Sequence, residues 1–189
     1  MATQCDVSKG LASIGCKNQV AGLKNLFVIN YSDEYDITVT SDDTDGHIMS
    51  SLGDPADGGI TEAFKYPLKN TGNSFVEESE SSRDAGTTVF NGTLNFVISA
   101  PNAHKQFQVK MLSWGRPQLV VESNSGDFFF VGLENGVEIG GNRTLEGEMT
   151  GANNYQLVGT SEEKNPTYFL TDEAVTELKA IVSADVIPG

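Results

Sequence analysis

The chain has 189 residues, which suits a single domain, because domains commonly hold roughly 100–200 residues. Hydrophobic residues make up 38% and charged residues 20%, which excludes a disordered chain, and no apolar run approaches the ~20 residues that a membrane-spanning helix needs. The formal net charge of −14 argues against nucleic-acid binding, because affinity for phosphates comes from Lys and Arg.

The first 25 residues are rich in Gly, Ala, Ser and Lys and have no sustained period, which predicts an extended N-terminal arm. No basic flank precedes an apolar segment there, so we expect no signal peptide. Cys5 and Cys16 are the only cysteines, and their spacing does not favour a zinc site. Whether they pair or stay free thiols is left open by the sequence.

A short apolar run at residues 26–31 predicts a buried strand, and the alternation at 37–40 predicts a second strand that forms a hairpin with it. Apolar residues then become sparse, and Gly and Asp dominate. Residues 41–59 are therefore predicted to form a long projecting loop, with a short strand at 47–51. Its polar members are Asp42, Asp43, Asp45, His47, Asp54 and Asp57.

Residues 42–46 look at first like a calcium-binding loop. If Gly46 is the required glycine, Ser41 stands at the first ligand position and Leu52 at the twelfth, where a bidentate Glu is needed. His47 and His104 are far apart and have no third ligand at metal spacing. We therefore predict no metal site and no cofactor.

Residues 61–69 alternate like a strand, and Pro67 indicates an edge. The strand predicted at 74–81 is polar on both faces. The next one, at 87–100, is expected to bulge at Asn91–Gly92. Between residues 33 and 84 there are thirteen acids and three bases. These acids form either an ordinary soluble surface or a negatively charged wall that keeps a passing polyanion from adhering. The candidates for such a wall are Glu77, Glu78, Glu80 and Asp84.

Helical spacing of Ala103, Phe107, Met111 and Leu112 predicts a helix at 102–113, with Asn102 as its N-cap and these four side chains turned inward. Two hairpins follow, 118–122 with 128–133 and 144–150 with 155–162. Turns are expected at 134–136 and 140–142. An amphipathic helix is predicted at 172–184.

Eight or more short strands with turns between them favour a mainly β fold, a β-sandwich or barrel, with one helix inside the β region. The predicted organisation is an arm (1–25), a β domain (26–170), and a C-terminal helix and tail (171–189). No nucleophile elbow, phosphate loop or zinc-protease motif occurs, so we predict no catalytic residues and no enzyme activity.

Several short strings resemble the major tail tube proteins of tailed bacteriophages. They are Gly22–Leu23–Lys24, residues 64–68, 81–88, 112–117, 131–136, and 159–160 with 163–169. Together they lie within roughly residues 20–170.

This resemblance implies a fold similar to that of type VI secretion tubes, a two-sheet sandwich with a flanking helix. Subunits of that kind form rings, usually hexameric, that stack into a tube. Inner strands join between subunits, and DNA passes through the lumen without specific binding. The arm and the polar residues of the loop at 41–59 would contact neighbouring rings. The implied partners are further copies of the chain and other tail proteins, with assembly in the host cytoplasm and a final place in the virion tail. Acids lining the lumen would keep DNA from adhering.

Alternatives from other classes stay open. One is a tail-associated ring or adaptor. Another is a β-sandwich binding module of the virion, which would need a surface cluster of aromatic side chains. A small hydrolase would need two carboxylates in one cleft.

Overall fold

The computed structural model describes residues 10–11, 20–42, 46–68, 72–184 and 186–187. That part of the chain contains eleven strands and two helices. In chain order they are β1 (Leu23–Ile29), β2 (Thr38–Asp42), β3 (Gly46–Ser51), β4 (Phe64–Pro67), β5 (Ser74–Ser82), β6 (Thr87–Ser99), α1 (Ala103–Trp114), β7 (Gln118–Ser123), β8 (Phe128–Val131), β9 (Glu138–Leu145), β10 (Asn153–Glu163), β11 (Tyr168–Leu170) and α2 (Asp172–Ala180). The cysteines and most of the predicted arm lie outside the described residues.

The strands form two sheets that pack against each other. The larger sheet has seven strands in the order β2-β3-β11-β8-β7-β1-β4, and the smaller has four in the order β5-β6-β10-β9. Apolar side chains of both sheets meet in a first core, among them Leu26 and Leu119 from the larger sheet and Leu94 and Phe96 from the smaller. The predicted fold class, a mainly β two-sheet sandwich with flanking helices, is confirmed.

The larger sheet is covered on both faces. Successive residues of a strand point to opposite sides, so the apolar run of β1 sends Leu26 and Val28 into the first core and Phe27 and Ile29 into a second. The second core lies on the far side of the sheet and is closed by α2 and by side chains from residues 52–63. Since α2 buries its apolar stripe there, the C-terminal helix predicted from the sequence is confirmed, although it ends at Ala180.

The predicted hairpin between residues 26–31 and 37–40 is wrong. β1 pairs with β4 and β7, whereas β2 lies at the opposite edge of the same sheet, beside β3. A strand that is apolar on both sides is most stable in the interior of a sheet, where both faces are buried. The alternating β2 suits an edge.

The predicted projecting loop at 41–59 is also wrong, while the short strand suggested within it is confirmed as β3. β3 lies between β2 and β11 and buries Met49 completely, and Leu52 follows in the second core. The chain then folds back on itself, so that a Cβ on Gly59 would lie 2.2 Å from the carbonyl carbon of Gly53. Glycine there permits a close backbone contact.

Two glycine-containing segments that the sequence marks as a bulge and a turn are continuous strand instead. β6 and β9 pair with β10 without a register shift through Gly92 and Gly141. A Cβ on Gly92 would lie 2.5 Å from Ser161 Oγ, and one on Gly141 would lie 2.2 Å from the carbonyl oxygen of Gln156. These glycines therefore allow neighbouring strands to approach closely.

Candidate assembly surface

The face of the four-stranded sheet that points away from the larger sheet is exposed and polar, and we call it the outer face. Because side chains alternate along each strand, the cross-strand pairs define which residues share it. All four strands belong to the described residues, and among the outer-face side chains there is neither Lys nor Arg. The ionisable members are glutamates: Glu78, Glu80, Glu138 and Glu162.

Two of the acids predicted to share this wall lie elsewhere. Glu77 points to the opposite side of the sheet, where its Oε1 accepts a hydrogen bond from the backbone N–H of Thr167 at 2.8 Å. Asp84 lies in the turn that connects β5 to β6. The run of acids in the sequence is therefore divided by strand alternation, and only Glu78 and Glu80 of the predicted set lie on the outer face.

The β5–β6 hairpin extends beyond the sandwich. β6 pairs with β10 only from Phe90 onward, and before that residue it pairs with β5 alone. We call residues 80–89 the ribbon. All of them are exposed except Val89, which is half-buried. A two-stranded ribbon is marginally stable in water, so a segment of this kind gains stability from a further strand.

Both outer strands of the smaller sheet are long and have one side that pairs with no other described strand. β5 has nine residues and β9 has eight, and neither ladder contains a proline or a register shift. The larger sheet ends instead in the five-residue β2 and the four-residue β4, which carries Pro67 as predicted for an edge. Short strands and prolines are common protections against edge pairing. Only the smaller sheet therefore offers long edges to another strand.

Helix α1 lies beside β9 and exposes an apolar stripe. The α1 stripe consists of Phe107, Met111 and Trp114, whose spacing places them on one side of the helix. Phe107 is 56% exposed and Trp114 is 73% exposed. The expectation that Phe107 and Met111 turn inward is wrong, because Leu112, with Val109 beside it, contacts the first core instead. The sequence signal for this orientation is the pair Val109 and Leu112, two apolar residues three positions apart on the same helix.

The two edges of the smaller sheet differ in charge. α1 contains no acidic residue and carries Lys105 and Lys110, of which Lys105 Nζ donates hydrogen bonds to the carbonyl oxygens of Ser99 and Ala100 at the end of β6. Arg143 of β9 points to the inner side of the sheet, where its guanidinium carbon lies 6.0 Å from the centroid of the Tyr155 ring. β5, at the other edge, carries three glutamates and no base. β5 is thus acidic, whereas β9 carries one glutamate, Glu138, and one arginine, Arg143.

The residues predicted to contact other subunits from 41–59 are held by their own chain where the structure describes them. His47 stacks on Tyr168 at 3.8 Å, with Nδ1 2.9 Å from Ser41 Oγ and Nε2 2.8 Å from the carbonyl oxygen of Pro166. Asp54 Oδ1 accepts a hydrogen bond from the N–H of Ala56, and the Asp54 carbonyl accepts one from Asp57. Asp42 ends β2, and Asp43 and Asp45 lie outside the described residues. Their role in subunit contacts stays a prediction.

Two enclosed carboxylates, Glu122 and Glu163, serve structural contacts. Burial raises the pKa of Glu122, but hydrogen bonds from Lys24 and Asn25 and the nearby positive charges outweigh it, so the pKa lies below its ordinary value. Burial raises the pKa of Glu163 above its ordinary value, even though its carboxylate accepts hydrogen bonds from the N–H groups of Glu134 and Asn135. Each carboxylate holds together two segments of the same chain.

Among the residues that the structure describes, no group of three or more His, Cys, Asp or Glu side chains could hold a metal ion. Neither described helix is long and apolar enough to cross a bilayer. Comparisons with protein-family models, with curated proteins and with solved structures give no match for this chain.

Proposed function

We propose that the protein is a structural subunit that assembles with copies of itself into stacked rings, forming a tube of the kind that passes DNA in phage tails. The observation that carries the proposal is the pair of long, unpaired edges, β5 and β9, on a four-stranded sheet whose outer face is polar. Such edges are templates for pairing with another chain, and a closed ring removes them. The resemblance of several sequence segments to tail tube proteins supports the same assignment.

The direction of the strands fits a ring. Every neighbouring pair in the four-stranded sheet is antiparallel, so β5 and β9 run in opposite directions. A copy related by rotation about an axis along the sheet therefore presents its β5 antiparallel to the β9 of its neighbour. The contact joins two different edges, so it is head-to-tail and closes by rotation into a ring.

In this assembly the outer face lines the lumen. Its four glutamates, with no cation beside them in the sheet, give the wall a negative charge that repels phosphate groups, so that DNA passes without adhering. Water in the lumen hydrates the polar side chains, while the two apolar cores stay on the other side of the sheet. The proposed location is the tail of a virion, assembled in the cytoplasm of the host.

Negative-stain electron microscopy and analytical ultracentrifugation of the purified chain over a hundredfold range of concentration test the proposal. Rings or tubes with a central channel are the expected result. A chain that stays monomeric at the highest concentration would refute the proposed self-assembly.

The α1 stripe supports a second candidate, a tail adaptor or binding module that uses exposed aromatic side chains to bind a different protein. The two candidates differ in what Phe107→Ser and Trp114→Ser change. In a self-assembling tube these substitutions weaken assembly of the chain itself, because the stripe flanks the β9 edge. In an adaptor they leave the monomer unchanged and reduce binding to a different tail protein.

A further inference from the structure

We propose that β5 of one copy pairs with β9 of the next copy in one defined register, in which Glu77 lies opposite Arg143 and Phe75 lies opposite Leu145. The occupant of each open edge is thus a second copy of this chain. The inference rests on the proposed function and adds the residue pairs that join one subunit to the next.

The two faces of the sheet restrict the register. In β5 the odd-numbered residues point to the inner side, as the pairing of Phe75 with the buried Leu94 shows. In β9 the odd-numbered residues also point inward, as Ile139 in the first core shows. A continuous sheet keeps inner residues opposite inner residues, because a shift by one residue exchanges the two faces. Allowed registers therefore differ by steps of two.

Among these registers, one pairs all eight residues of β9 with β5. It sets Leu145 opposite Phe75 at one end and Glu138 opposite Ser82 at the other. A shift by two in one direction places Glu138 opposite Glu80, where like charges repel. A shift by two in the other direction places Leu145 opposite Glu77 and leaves two residues of β9 beyond the end of β5.

The side chains that meet in the full-overlap register are complementary. Glu77 and Arg143 have opposite charges and lie on the same, inner side, and opposite charges directly across an antiparallel pair are stabilising. Leu145 is 69% exposed in the single chain, and Phe75, which is half-buried, would cover it. The three glutamates of β5 disfavour pairing of two β5 edges with each other, so the charge pattern selects the contact between unlike edges.

The register also sets the tilt of the strands. Within one copy, Ser74 pairs with Asn95, Asn95 pairs with Val158, and Val158 pairs with Gly140. Ser74 and Gly140 therefore lie on one line drawn across the sheet perpendicular to its strands. In the proposed register Gly140 lies opposite Glu80 of the next copy, six residues farther along β5. Six residues at about 3.3 Å, across four strands about 4.8 Å apart, correspond to a tilt of about 45°, which lies in the range found for closed barrels.

The same geometry gives a channel of useful width. Six copies, the number that the resemblance implies, contribute twenty-four strands. At a spacing of about 4.8 Å and a tilt of about 45°, these close at a backbone diameter of about 50 Å. Side chains of the outer face fill part of that width and leave an open, hydrated lumen.

Disulfide cross-linking between copies tests the register. In a background of Cys5→Ser and Cys16→Ser, the chain with Val76→Cys and Thr144→Cys has its two thiols opposite each other only across the proposed contact. Within one copy they are three strands apart, about 14 Å or more, which is too far for a disulfide. We expect a ladder of covalent oligomers on a non-reducing gel after mild oxidation. Matched controls are Val76→Cys with Asn142→Cys and Glu78→Cys with Thr144→Cys. The two thiols of each control would lie opposite each other only if the register were shifted by two residues.

Charge reversal gives an independent test. Arg143→Glu is expected to raise the critical concentration for assembly about tenfold or more, since it places two acids opposite each other. Glu77→Arg in the same chain is expected to restore assembly. The control Arg83→Glu makes the same charge change in the turn, outside the contact. It is expected to assemble like the unmodified chain, and adding Glu77→Arg should bring no gain in assembly. If Glu77→Arg alone lowers the melting temperature by loss of its bond to Thr167, Arg143→Glu and the cross-links decide the matter.

The outcomes separate the two proposals. Covalent ladders from a control pair, with none from the proposed pair, overturn the register and leave the tube assignment standing. Tubes of the unmodified chain together with no cross-link from any pair show that β5 and β9 do not meet. A chain that forms no assembly at all refutes both proposals.

Discussion

Shortening the ribbon separates its contribution to assembly from any contribution to folding. The change replaces residues 80–89 by Asn-Gly, so that the cross-strand pair Ser79–Phe90 is closed by a two-residue turn that matches the twist of a hairpin. Nine of the ten removed residues are exposed and the tenth, Val89, is half-buried. The free energy of unfolding of the monomer should therefore fall by no more than about 1 kcal/mol.

The expected effect on assembly is much larger. In the proposed register, residues 80–82 supply three of the eight residue pairs between β5 and β9 of neighbouring copies. At about 0.2–1 kcal/mol for each pair, every contact in the ring loses about 0.6–3 kcal/mol. The critical concentration for assembly then rises by a factor of about 3 to 150.

Two measurements on the same preparation decide the matter. Urea unfolding followed by circular dichroism at low concentration reports the stability of the monomer, and sedimentation velocity over a concentration series reports assembly. A matched control, Ser81→Ala with Ser82→Ala, keeps the length of the ribbon and should assemble like the unmodified chain. If the shortened chain forms tubes at the unmodified concentration, the ribbon takes no part in the contact. If it no longer folds, the reasoning about its exposure is wrong.

Three further predictions concern single sites. Gly141→Ala should lower the free energy of unfolding by about 2 kcal/mol or more in urea titrations, because its Cβ would meet the Gln156 carbonyl, whereas the adjacent Gly140→Ala, with open space around it, should have little effect. Since folding lowers the pKa of Glu122, its contribution is complete above the ordinary value of 4.5 and is lost as the pH falls through the folded-state pKa. Glu122→Gln should therefore cost about 1 kcal/mol at pH 7 and nothing in acid, as measured by unfolding at a series of pH values. Tubes with Glu78→Lys and Glu80→Lys should retain DNA in a sedimentation assay with a strong salt dependence, and failure to retain it would place these side chains outside the lumen.

The sequence predicts the positions of most strands correctly but their partners only in part. The predicted hairpin of 118–122 with 128–133 is confirmed as β7 and β8, whereas the partners of β1 are missed. The apolar run at β1 is recognisable as a strand, yet its neighbours β4 and β7 come from distant parts of the chain, and local periodicity contains no information about them. The short connection to β2 made a hairpin the natural expectation. The first core buries one face of β1, and the second core, which depends on α2 and residues 52–63, buries the other, so β1 lies inside the sheet and the hairpin does not form.

Glycine caused the second kind of error. Asn91–Gly92 and Gly140–Gly141 have the composition of a bulge and a turn. Glycine is needed at Gly92 and Gly141 for another reason, because Ser161 and Gln156 of the neighbouring strand β10 leave no room for a Cβ. Such a requirement is visible only when the partner strand is known. By contrast, Asn102 as N-cap and Pro67 at an edge depend on local backbone chemistry, and both predictions are confirmed.

The remaining departures from expectation share one location. Phe107 and Met111 are exposed although a helix in a single domain should bury its apolar side chains, and Leu145 ends β9 in solvent. β9 is also a long edge strand without a proline or a bulge, which an isolated β domain would be expected to protect. A sequence that obeys the packing rules elsewhere and departs from them on one side of the molecule is typical of a surface that another molecule covers. Arg143 on β9 and the glutamates on β5, at opposite edges of one sheet, identify that molecule most economically as the next copy of the chain.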